Sequence, residues 1–245
     1  MKIEYKRHYS AYLGKEMEYK VYGHGGKPII FIPCQSGRFY DFENFRMIDC
    51  WAKWIEAGKC TVFSVDAVDD IAWAAMGADN RWRTENHERW YNYVVEEFVP
   101  AVQYESGRND ILPFGCSMGA MHAANLFFRR PDLFDGVFAI SGLYDSEEFF
   151  GNYMDDLLYN NCPVYYLSNM PQDHYYMDMY NHRKILIVVG QGAWEDALLA
   201  STRRLDAVLR HKQIPAQVEY WGYDVDHDWP WWFRMCDHYV PQLLE

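Results

Sequence analysis

The sequence predicts one α/β domain, in which a mostly parallel central sheet carries helices on both faces. Short apolar runs of strand length alternate with longer stretches of helical spacing, which is the pattern of parallel strands joined by crossover helices. A length of 245 residues suffices for one substantial core and is too short for two. A glycine-rich junction at residues 111–120 leads from an apolar run straight into a helix. We therefore expect residues 1–245 to form a single domain built around that junction.

The first half of the chain contains a hairpin followed by alternating strands and helices. Residues 3–8 and 16–22 show the alternation of half-buried strands on either side of a turn at Gly14, which predicts an antiparallel hairpin at the sheet edge. The Asp-rich residues 66–70 are expected to form a solvated loop. Residues 28–33 are typical of a buried strand, residues 42–57 of a helix and residues 60–65 of a second strand. Residues 84–104 are typical of a helix that is kinked at Pro100, and residues 111–114 of a buried strand.

The second half repeats this alternation and interrupts it once. Residues 136–141, 184–190 and 216–221 are typical of strands, and helices are predicted before Pro215 and over 230–244. Residues 143–182 mix aromatic and polar side chains and fit neither period. We expect this insertion to form a small cap that excludes water from a site and selects its substrate. Packing of the insertion against the sheet edge is the alternative.

Charge and composition exclude several classes of partner. The formal net charge is −12 and the basic residues are not clustered, so neither nucleic acid nor an anionic membrane is expected to bind. A strongly acidic substrate is also disfavoured, unless a local cation such as Arg38 offsets the field. The aromatic share of 18%, with 20 Tyr and 10 Trp, favours an aromatic wall around a pocket, with ordinary surface aromatics as the alternative.

Cysteine spacing and hydropathy bear on the compartment. The six cysteines include no C-x-x-C pair and no Cys/His spacing of a zinc site, which indicates free thiols in a reducing compartment and no bound metal. The first residues lack an apolar signal segment, and no apolar run has the length of a membrane span. The expected location is the cytoplasm. The sequence leaves open whether copies of the chain associate as a homo-oligomer.

The junction at 111–120 has the features of a nucleophile elbow. In Gly115-Cys-Ser-Met-Gly119 a serine lies on a sharp strand-to-helix turn, with the smallest residue two positions away on either side. The free N–H groups and the positive dipole end of the following helix would point at an oxyanion formed on Ser117. Ser117 is the candidate nucleophile and the Met118 N–H a candidate oxyanion donor. A glycine-rich turn with a capping serine is the alternative.

A second oxyanion donor is expected in the turn Cys34-Gln-Ser-Gly-Arg38. In folds with such an elbow this N–H comes from the loop after the third strand, and the turn follows the strand at 28–33. Gln35 and Ser36 are both candidates. An ordinary turn is the alternative.

A serine nucleophile needs a histidine to take its proton and a carboxylate to orient that histidine. His227 follows the last predicted strand, where strand order brings it to the carboxyl edge of the sheet near the elbow. Glu195 and Asp196 follow the strand at 184–190, and Asp145 follows the strand before it. The aspartates flanking His227 are expected to point away from it. The residues alone do not separate Glu195 from Asp196.

Four motifs follow one another along the chain: Gly37-Arg-Phe-Tyr40, Gly115-Cys-Ser-Met-Gly119, Gly190-Gln-Gly-Ala-Trp-Glu-Asp196 and His227-Asp-Trp-Pro-Trp-Trp232. Together they resemble the Putative esterase (esterase D-like) family of the α/β-hydrolase superfamily, over essentially the whole chain. The resemblance implies Ser117 as nucleophile and His227 as base. Members often carry Gly-x-x-Glu before the helix, which implies Glu195 as the acid and Asp196 as the alternative. Matching of strand ends implies the Ser36 N–H in the oxyanion hole, although this chain lacks the usual His-Gly there.

These residues predict a serine carboxylesterase that hydrolyses small or aryl esters through an acyl-enzyme, with no metal or organic cofactor. Its partner would be a small-molecule ester. One rival hypothesis is an acyltransferase that passes the same acyl group to an alcohol or amine. Another is a catalytically silent hydrolase fold that serves as a binding module. Product analysis with competing acceptors separates the first rival, and covalent labelling of Ser117 by a fluorophosphonate argues against the second.

Overall fold

A computed structural model describes residues 1–244 of the chain. Within them one eight-stranded sheet has the order β1-β2-β4-β3-β5-β6-β7-β8. The strands are β1 (Ile3–Ser10), β2 (Lys15–Tyr22), β3 (Lys27–Ile32), β4 (Cys60–Val65), β5 (Leu112–Cys116), β6 (Gly136–Ile140), β7 (Lys184–Val189) and β8 (Gln217–Tyr220). β2 pairs antiparallel with β1 and β4, and the other neighbouring strands are parallel. The predicted α/β class and the edge hairpin are confirmed.

Helices cover both faces of this sheet. They are α1 (Asp41–Asn44), α2 (Met47–Glu56), α3 (Asn80–Tyr93), α4 (Val99–Ser106), α5 (Met118–Arg129), α6 (Glu147–Phe150), α7 (Asp156–Asn160), α8 (Pro163–Asn169), α9 (Tyr176–Asn181), α10 (Asp196–His211) and α11 (Trp229–Leu243). Within residues 1–244 no helix combines the length and apolar character needed to cross a membrane.

The central strands consist of continuous runs of apolar residues because both faces of these strands are buried. In β3, Ile30 and Ile32 face a first core, which α3, α4, α5 and α10 cover. The intervening Ile29 and Phe31 face a second core, which α1, α2 and α11 cover. Alternate side chains of one strand therefore stabilise two separate helical layers.

Two predicted helices differ in detail from the observed ones. The helix expected over 42–57 is divided into α1 and α2, because Arg46 adopts a left-handed conformation with φ of 63°. The helix expected over 84–104 begins at Asn80, where the Asp79 carboxylate accepts a hydrogen bond from Trp82 N at 2.8 Å. Its predicted irregularity at Pro100 takes the form of a π-helical stretch over residues 94–98. The wider turn accommodates the proline ring and its missing N–H.

The prediction of a solvated acidic loop at 66–70 is wrong for two of its aspartates. Asp66 is 6% exposed and accepts hydrogen bonds from Arg38 Nε at 2.8 Å and Phe39 N at 3.2 Å. Burial raises the pKa of Asp66, and the hydrogen bond from Arg38 opposes that rise. Asp69 is 3% exposed and lies 2.9 Å from His122 Nε2. Both carboxylates are buried because tertiary partners, which sequence patterns do not reveal, compensate their desolvation.

The insertion at 143–182 forms α6 to α9 and packs largely on the first core. Leu158, Leu167 and Tyr180 are buried in that core, and Tyr180 Oη donates a hydrogen bond to the Phe128 carbonyl of α5. Most of the insertion is thus an additional outer layer beside α5 and α10. For the part of the insertion that lines the cavity at Ser117, namely Leu143, Glu148 and Phe149, the role of a cap stays a prediction.

Candidate active site

Ser117 joins β5 to α5 in a strained backbone conformation. Its φ of 57° and ψ of −127° lie in a region that residues with a side chain rarely adopt, at a cost of about 1–3 kcal/mol. A Cβ on Gly115 would lie 2.3 Å from the Gly119 carbonyl carbon, and one on Gly119 would lie 2.2 Å from the Ile32 carbonyl oxygen. The elbow therefore needs glycine at both positions, because α5 passes directly over the ends of β5 and β3.

The start of α5 provides a free hydrogen-bond donor beside Ser117. The Ser117 carbonyl accepts from the N–H groups of Ala120 at 3.0 Å and Met121 at 3.2 Å. In the described part of the chain the Met118 N–H has no acceptor. This N–H lies at the positive end of the helix dipole, which favours a negatively charged oxygen there.

The turn after β3 lies beside the elbow. Gly37 N donates to the Cys34 carbonyl at 2.8 Å, and Ser36 has a left-handed φ of 56°. Gln35 lines the cavity that contains Ser117, whereas Ser36 lines a neighbouring cavity together with Arg38 and Asp66. Of the two sequence candidates for the second oxyanion donor, Gln35 is therefore the one that borders the Ser117 cavity.

His227 contacts the candidate nucleophile directly. Its Nε2 lies 3.0 Å from Ser117 Oγ, although the two residues are 110 positions apart. The imidazole packs against the edge of Trp232, with ring centroids 4.9 Å apart at 86°. The backbone N–H of His227 donates to the Ala193 carbonyl at 2.9 Å, which fixes the loop that carries the ring.

The loops after β7 and β8 are joined into one unit. Gly192 N donates to the Val225 carbonyl at 2.8 Å, and Ala193 N donates to Asp226 Oδ1 at 2.7 Å. A Cβ on Gly190 would lie 2.3 Å from the Val225 carbonyl oxygen, so glycine is needed for the loops to approach this closely. The two flanking aspartates are engaged elsewhere, because Asp226 binds the neighbouring loop and Asp228 accepts from Trp229 N at the start of α11.

Glu195 is the carboxylate that faces the histidine. Its Oε1 lies 3.4 Å from His227 Nδ1, and its side chain is fully buried. That separation exceeds a hydrogen bond, and within residues 1–244 neither His227 Nδ1 nor Glu195 Oε2 has a partner. Ser141 Oγ donates to the same Oε1 at 2.5 Å. Ser141 is not among the residues predicted from the sequence, where the available signal was a Ser-Gly pair directly after a buried strand.

The other carboxylate candidates lie in different surroundings. Asp196 is the exposed first residue of α10 and lines the mouth of the Ser117 cavity. Asp145 is buried, and its Oδ2 accepts hydrogen bonds from Arg204 Nη2 at 2.7 Å and from Ser201 Oγ at 2.5 Å. These contacts occupy Asp145 with α10. Among the described residues, Glu195 is thus the candidate whose carboxylate faces His227.

The cavity that contains Ser117 and His227 has a volume of about 450 Å³ and largely apolar walls. Trp194 in this wall is 85% exposed and has a φ of 66°, which is an outlier for a bulky residue. The strained backbone at an exposed indole makes Trp194 a candidate for a functional role. The predicted insertion contributes three of the lining residues, Leu143, Glu148 and Phe149. The remaining lining residues are Gln35, Met76, Asp196, Ala197 and Leu198.

Two nearby side chains carry no unpaired charge. Arg38 donates to Asp66 at 2.8 Å and to Glu18 at 3.1 Å, so its charge is already paired. Burial raises the pKa of the Cys34 thiol to about 12, so it stays protonated near neutral pH. Within the described residues no group of three or more His, Cys, Asp or Glu side chains could hold a metal ion.

Comparisons with known proteins bear on the class of this site. The family model described as "Putative esterase" matches residues 10–237. A ferulic acid esterase is similar at 17% identity and a TM-score of 0.76, over 99% of this chain and 97% of that chain. The fluorophosphonate-binding serine hydrolase FphF of Staphylococcus aureus is similar at 16% identity and a TM-score of 0.73, over 100% and 98%.

A third solved structure, the S-formylglutathione hydrolase FrmB from Staphylococcus aureus, is similar at 14% identity and a TM-score of 0.70, over 100% of both chains. At such identities these likenesses show the fold. No curated protein sequence matches the chain. The chain therefore belongs to the Putative esterase family, has the α/β-hydrolase fold, and is by class a carboxylic ester hydrolase.

Proposed function

We propose that the protein is a serine carboxylesterase with Ser117 as nucleophile, His227 as general base and Glu195 as the orienting acid. The observation that carries the proposal is the distance of 3.0 Å between Ser117 Oγ and His227 Nε2 at a strained elbow. Hydrogen-bonding distance to an imidazole is what a hydroxyl needs to lose its proton during attack. The buried carboxylate of Glu195 lies on the other side of the same ring.

The reaction proceeds in two halves. Ser117 Oγ bonds to the ester carbonyl carbon while its proton passes to His227 Nε2, and the alcohol leaves with that proton. Water then attacks the acyl carbon while His227 takes its proton. The bond between the acyl carbon and Ser117 Oγ breaks as His227 returns that proton to Oγ, which releases the acid and free Ser117. The imidazolium formed in each half is stabilised by Glu195, and we expect the distance of 3.4 Å between Nδ1 and Oε1 to shorten at that stage.

The oxyanion is held by backbone N–H groups at the elbow. Met118 supplies one donor from the first turn of α5. Gln35 is the preferred second donor, because it borders the cavity, and Ser36 is the alternative from the same turn. Loss of one such donor typically costs on the order of 10²–10³ in kcat.

Small or aryl esters are the proposed substrates. The walls of the cavity are largely apolar, and Trp194 and Phe149 present aromatic surface to it. Glu148 and Asp196 at the mouth disfavour a second carboxylate on the substrate. The similarity to a ferulic acid esterase is consistent with an aromatic acyl group.

Hydrolysis is favoured over acyl transfer by the exposed mouth of the cavity. Met76 and Trp194 at the rim are 64% and 85% exposed, so water has access to an acyl-enzyme. Transfer to another acceptor requires water to be excluded. In the presence of a saturating alcohol we expect free acid as the main product. A main product esterified with the added alcohol would identify an acyltransferase instead.

We also propose the cytoplasm as the location of the enzyme. All six cysteines are free thiols, which suits a reducing compartment. Cell fractionation with an antibody against the chain tests this proposal.

The assignment of Ser117 is tested with short-chain p-nitrophenyl esters. Ser117→Ala should lower kcat on the order of 10⁴-fold or more, because it removes the hydroxyl that lies 3.0 Å from His227 Nε2 and forms the acyl-enzyme. Ser64→Ala, at a buried serine of β4 outside the site, is the control and should retain activity. A fluorophosphonate should label the wild type and the control but not Ser117→Ala. Equal rates in wild type and Ser117→Ala would reject the assignment.

A further inference from the structure

We infer that Ser141 is a positioning residue for this reaction: its hydroxyl holds the Glu195 carboxylate in the orientation and charge state that His227 needs. The inference rests on the proposed function, since it assigns a role within the same site. It arises from three independent observations, namely the position of Ser141 in the sheet, its backbone conformation and its hydrogen bond.

Ser141 lies between the two strands that carry the nucleophile and the acid. It directly follows β6, and its backbone N–H donates to the Val188 carbonyl of β7 at 2.7 Å. The preceding carbonyl, that of Ile140, accepts from Ser117 N at 2.9 Å. The side chain is fully buried. Ser141 is thus fixed by backbone bonds to both the elbow and the strand that leads to Glu195.

The backbone of Ser141 is strained in the same way as other residues of the site. Its φ is 53°, in the left-handed region. In the described chain six residues other than glycine have positive φ, and Ser36, Ser117, Ser141 and Trp194 are four of them. Such strain persists where the surrounding structure imposes it, and it concentrates at functional sites. At Ser141 the left-handed conformation accompanies a side chain that reaches Glu195.

The hydrogen bond between Ser141 and Glu195 is short. The separation of 2.5 Å between Ser141 Oγ and Glu195 Oε1 is typical of a hydroxyl that donates to an ionised carboxylate. Other titratable groups near this carboxylate are His227, Cys116 of β5 and Tyr144 beyond β6. Burial raises the pKa of the Cys116 thiol and of the Tyr144 hydroxyl, so both stay neutral. Ser141 and His227 are therefore the groups that compensate the buried charge.

Removal of this hydroxyl has a definite consequence for pH dependence. A hydrogen bond to the charged form of an acid favours that form, so loss of the Ser141 hydroxyl should favour the protonated state of the Glu195 and His227 pair. The enzyme is active only when this pair has not bound an additional proton, because His227 must accept the proton of Ser117. The acidic limb of the pH profile of kcat/KM should therefore move to higher pH when the hydroxyl is lost.

The first test compares Ser141→Gly, Ser141→Ala and Ser141→Thr on p-nitrophenyl acetate. Glycine adopts a φ of 53° without strain, so Ser141→Gly removes the hydroxyl and leaves the backbone free to keep its conformation. In Ser141→Gly and Ser141→Ala we expect kcat to fall by about 10- to 100-fold, with KM nearly unchanged and the acidic limb raised by about half a unit or more. Ser141→Thr keeps the hydroxyl and should keep the acidic limb of the wild type. Wild-type kcat and pH profile in folded Ser141→Gly would overturn the inference.

A double-mutant cycle with Glu195→Gln separates positioning from a general structural effect. If Ser141 acts through Glu195, Ser141→Gly should lower kcat by less than about twofold in the Glu195→Gln background. A full and independent loss there would contradict the inference. Ser64→Ala, which removes another buried hydroxyl, should leave the pH profile unchanged. Retained activity in Ser117→Ala would defeat the proposed function, whereas an inactive Ser117→Ala with a fully active Ser141→Gly defeats only the role of Ser141.

Discussion

Glu195 and Asp196 are adjacent, yet their carboxylates meet opposite environments. Glu195 precedes α10, is fully buried and lies 3.4 Å from His227 Nδ1. Asp196 is the first residue of α10. Successive side chains of a helix point in different directions, so the Asp196 carboxylate is exposed at the mouth of the cavity. A buried carboxylate near an imidazole can stabilise its cation strongly, whereas an exposed one is screened by water.

These environments lead to different effects of neutral substitutions. Glu195→Gln should lower kcat on the order of 10³-fold or more, because the amide can stabilise the wrong tautomer of His227 and carries no charge. Asp196→Asn should stay within about threefold of wild type, since loss of a solvated charge changes little. Steady-state hydrolysis of p-nitrophenyl acetate by the two variants decides between them. An inactive Asp196→Asn together with an active Glu195→Gln would show that Asp196, and not Glu195, is the orienting acid.

Ser117 and His227 were predictable from the sequence because each lies at a fixed position of a recognisable motif. Ser141 was not predictable in this way. Its hydrogen bond joins residues 54 positions apart, and only the register of β6 against β7 brings them together. The positive φ of Ser141 and Trp194 likewise follows from packing that no local pattern encodes.

The position of the candidate nucleophile Ser117 depends on the elbow and on α5, which follows it. α5 packs in the first core with Ala120, Ala123 and Ala124, whose small side chains let it lie close to the sheet. The closest approach is at Gly119, where a Cβ would lie 2.2 Å from the Ile32 carbonyl oxygen and 2.7 Å from that of Pro33. Backbone atoms cannot move aside as a flexible side chain can.

A methyl group at Gly119 should therefore destabilise the fold. Gly119→Ala should lower the free energy of unfolding by about 1–3 kcal/mol and displace the start of α5. Urea unfolding followed by circular dichroism measures the change. Gly25→Ala is the matched control, because a Cβ there meets nothing within 4 Å, and it should stay within about 0.5 kcal/mol of wild type. Equal stability of the two variants would contradict the close approach of α5 to β3.

The whole molecule also contains a buried polar cluster behind the elbow, which ties three segments together. His122 of α5 lies 2.9 Å from Asp69 and stacks on His87 of α3 with ring centroids 4.9 Å apart. Trp73 packs edge-on against His87, and Trp90 stacks on His87 and lies tilted against His122. Burial lowers the pKa of His87 well below 6.5, and the nearby His122 adds to this. His87 is thus held neutral in the folded protein.

A histidine held neutral makes stability depend on pH in a definite direction. Below pH 6.5 the unfolded chain binds a proton at His87 that the folded chain does not, so the free energy of unfolding falls as pH falls towards the folded pKa. The slope from this one residue is at most about 1.4 kcal/mol per pH unit. His87→Phe should flatten the decline between pH 7 and 5 in urea unfolding. His182→Phe, at an exposed histidine, should keep the wild-type slope, and an unchanged slope in His87→Phe would contradict the buried neutral state.

Most of the architecture follows from patterns that act over short distances along the chain. Buried strands, the edge hairpin and the glycine elbow were predictable because hydrophobic period and glycine spacing reflect local backbone geometry. The insertion at 143–182 was harder to interpret. Its aromatic residues divide between the first core and the Ser117 cavity, and that division depends on how α6 to α9 pack on α5 and α10.

The sequence by itself determined the fold class, the candidate nucleophile and the candidate base, because each is encoded by residues close together in the chain. The tertiary structure alone decided that Glu195 rather than Asp145 faces His227, that Gln35 borders the cavity, and that Ser141 binds the buried carboxylate. These are contacts between residues far apart in sequence. They depend on the order and register of parallel strands, which bring several loops to one edge of the sheet.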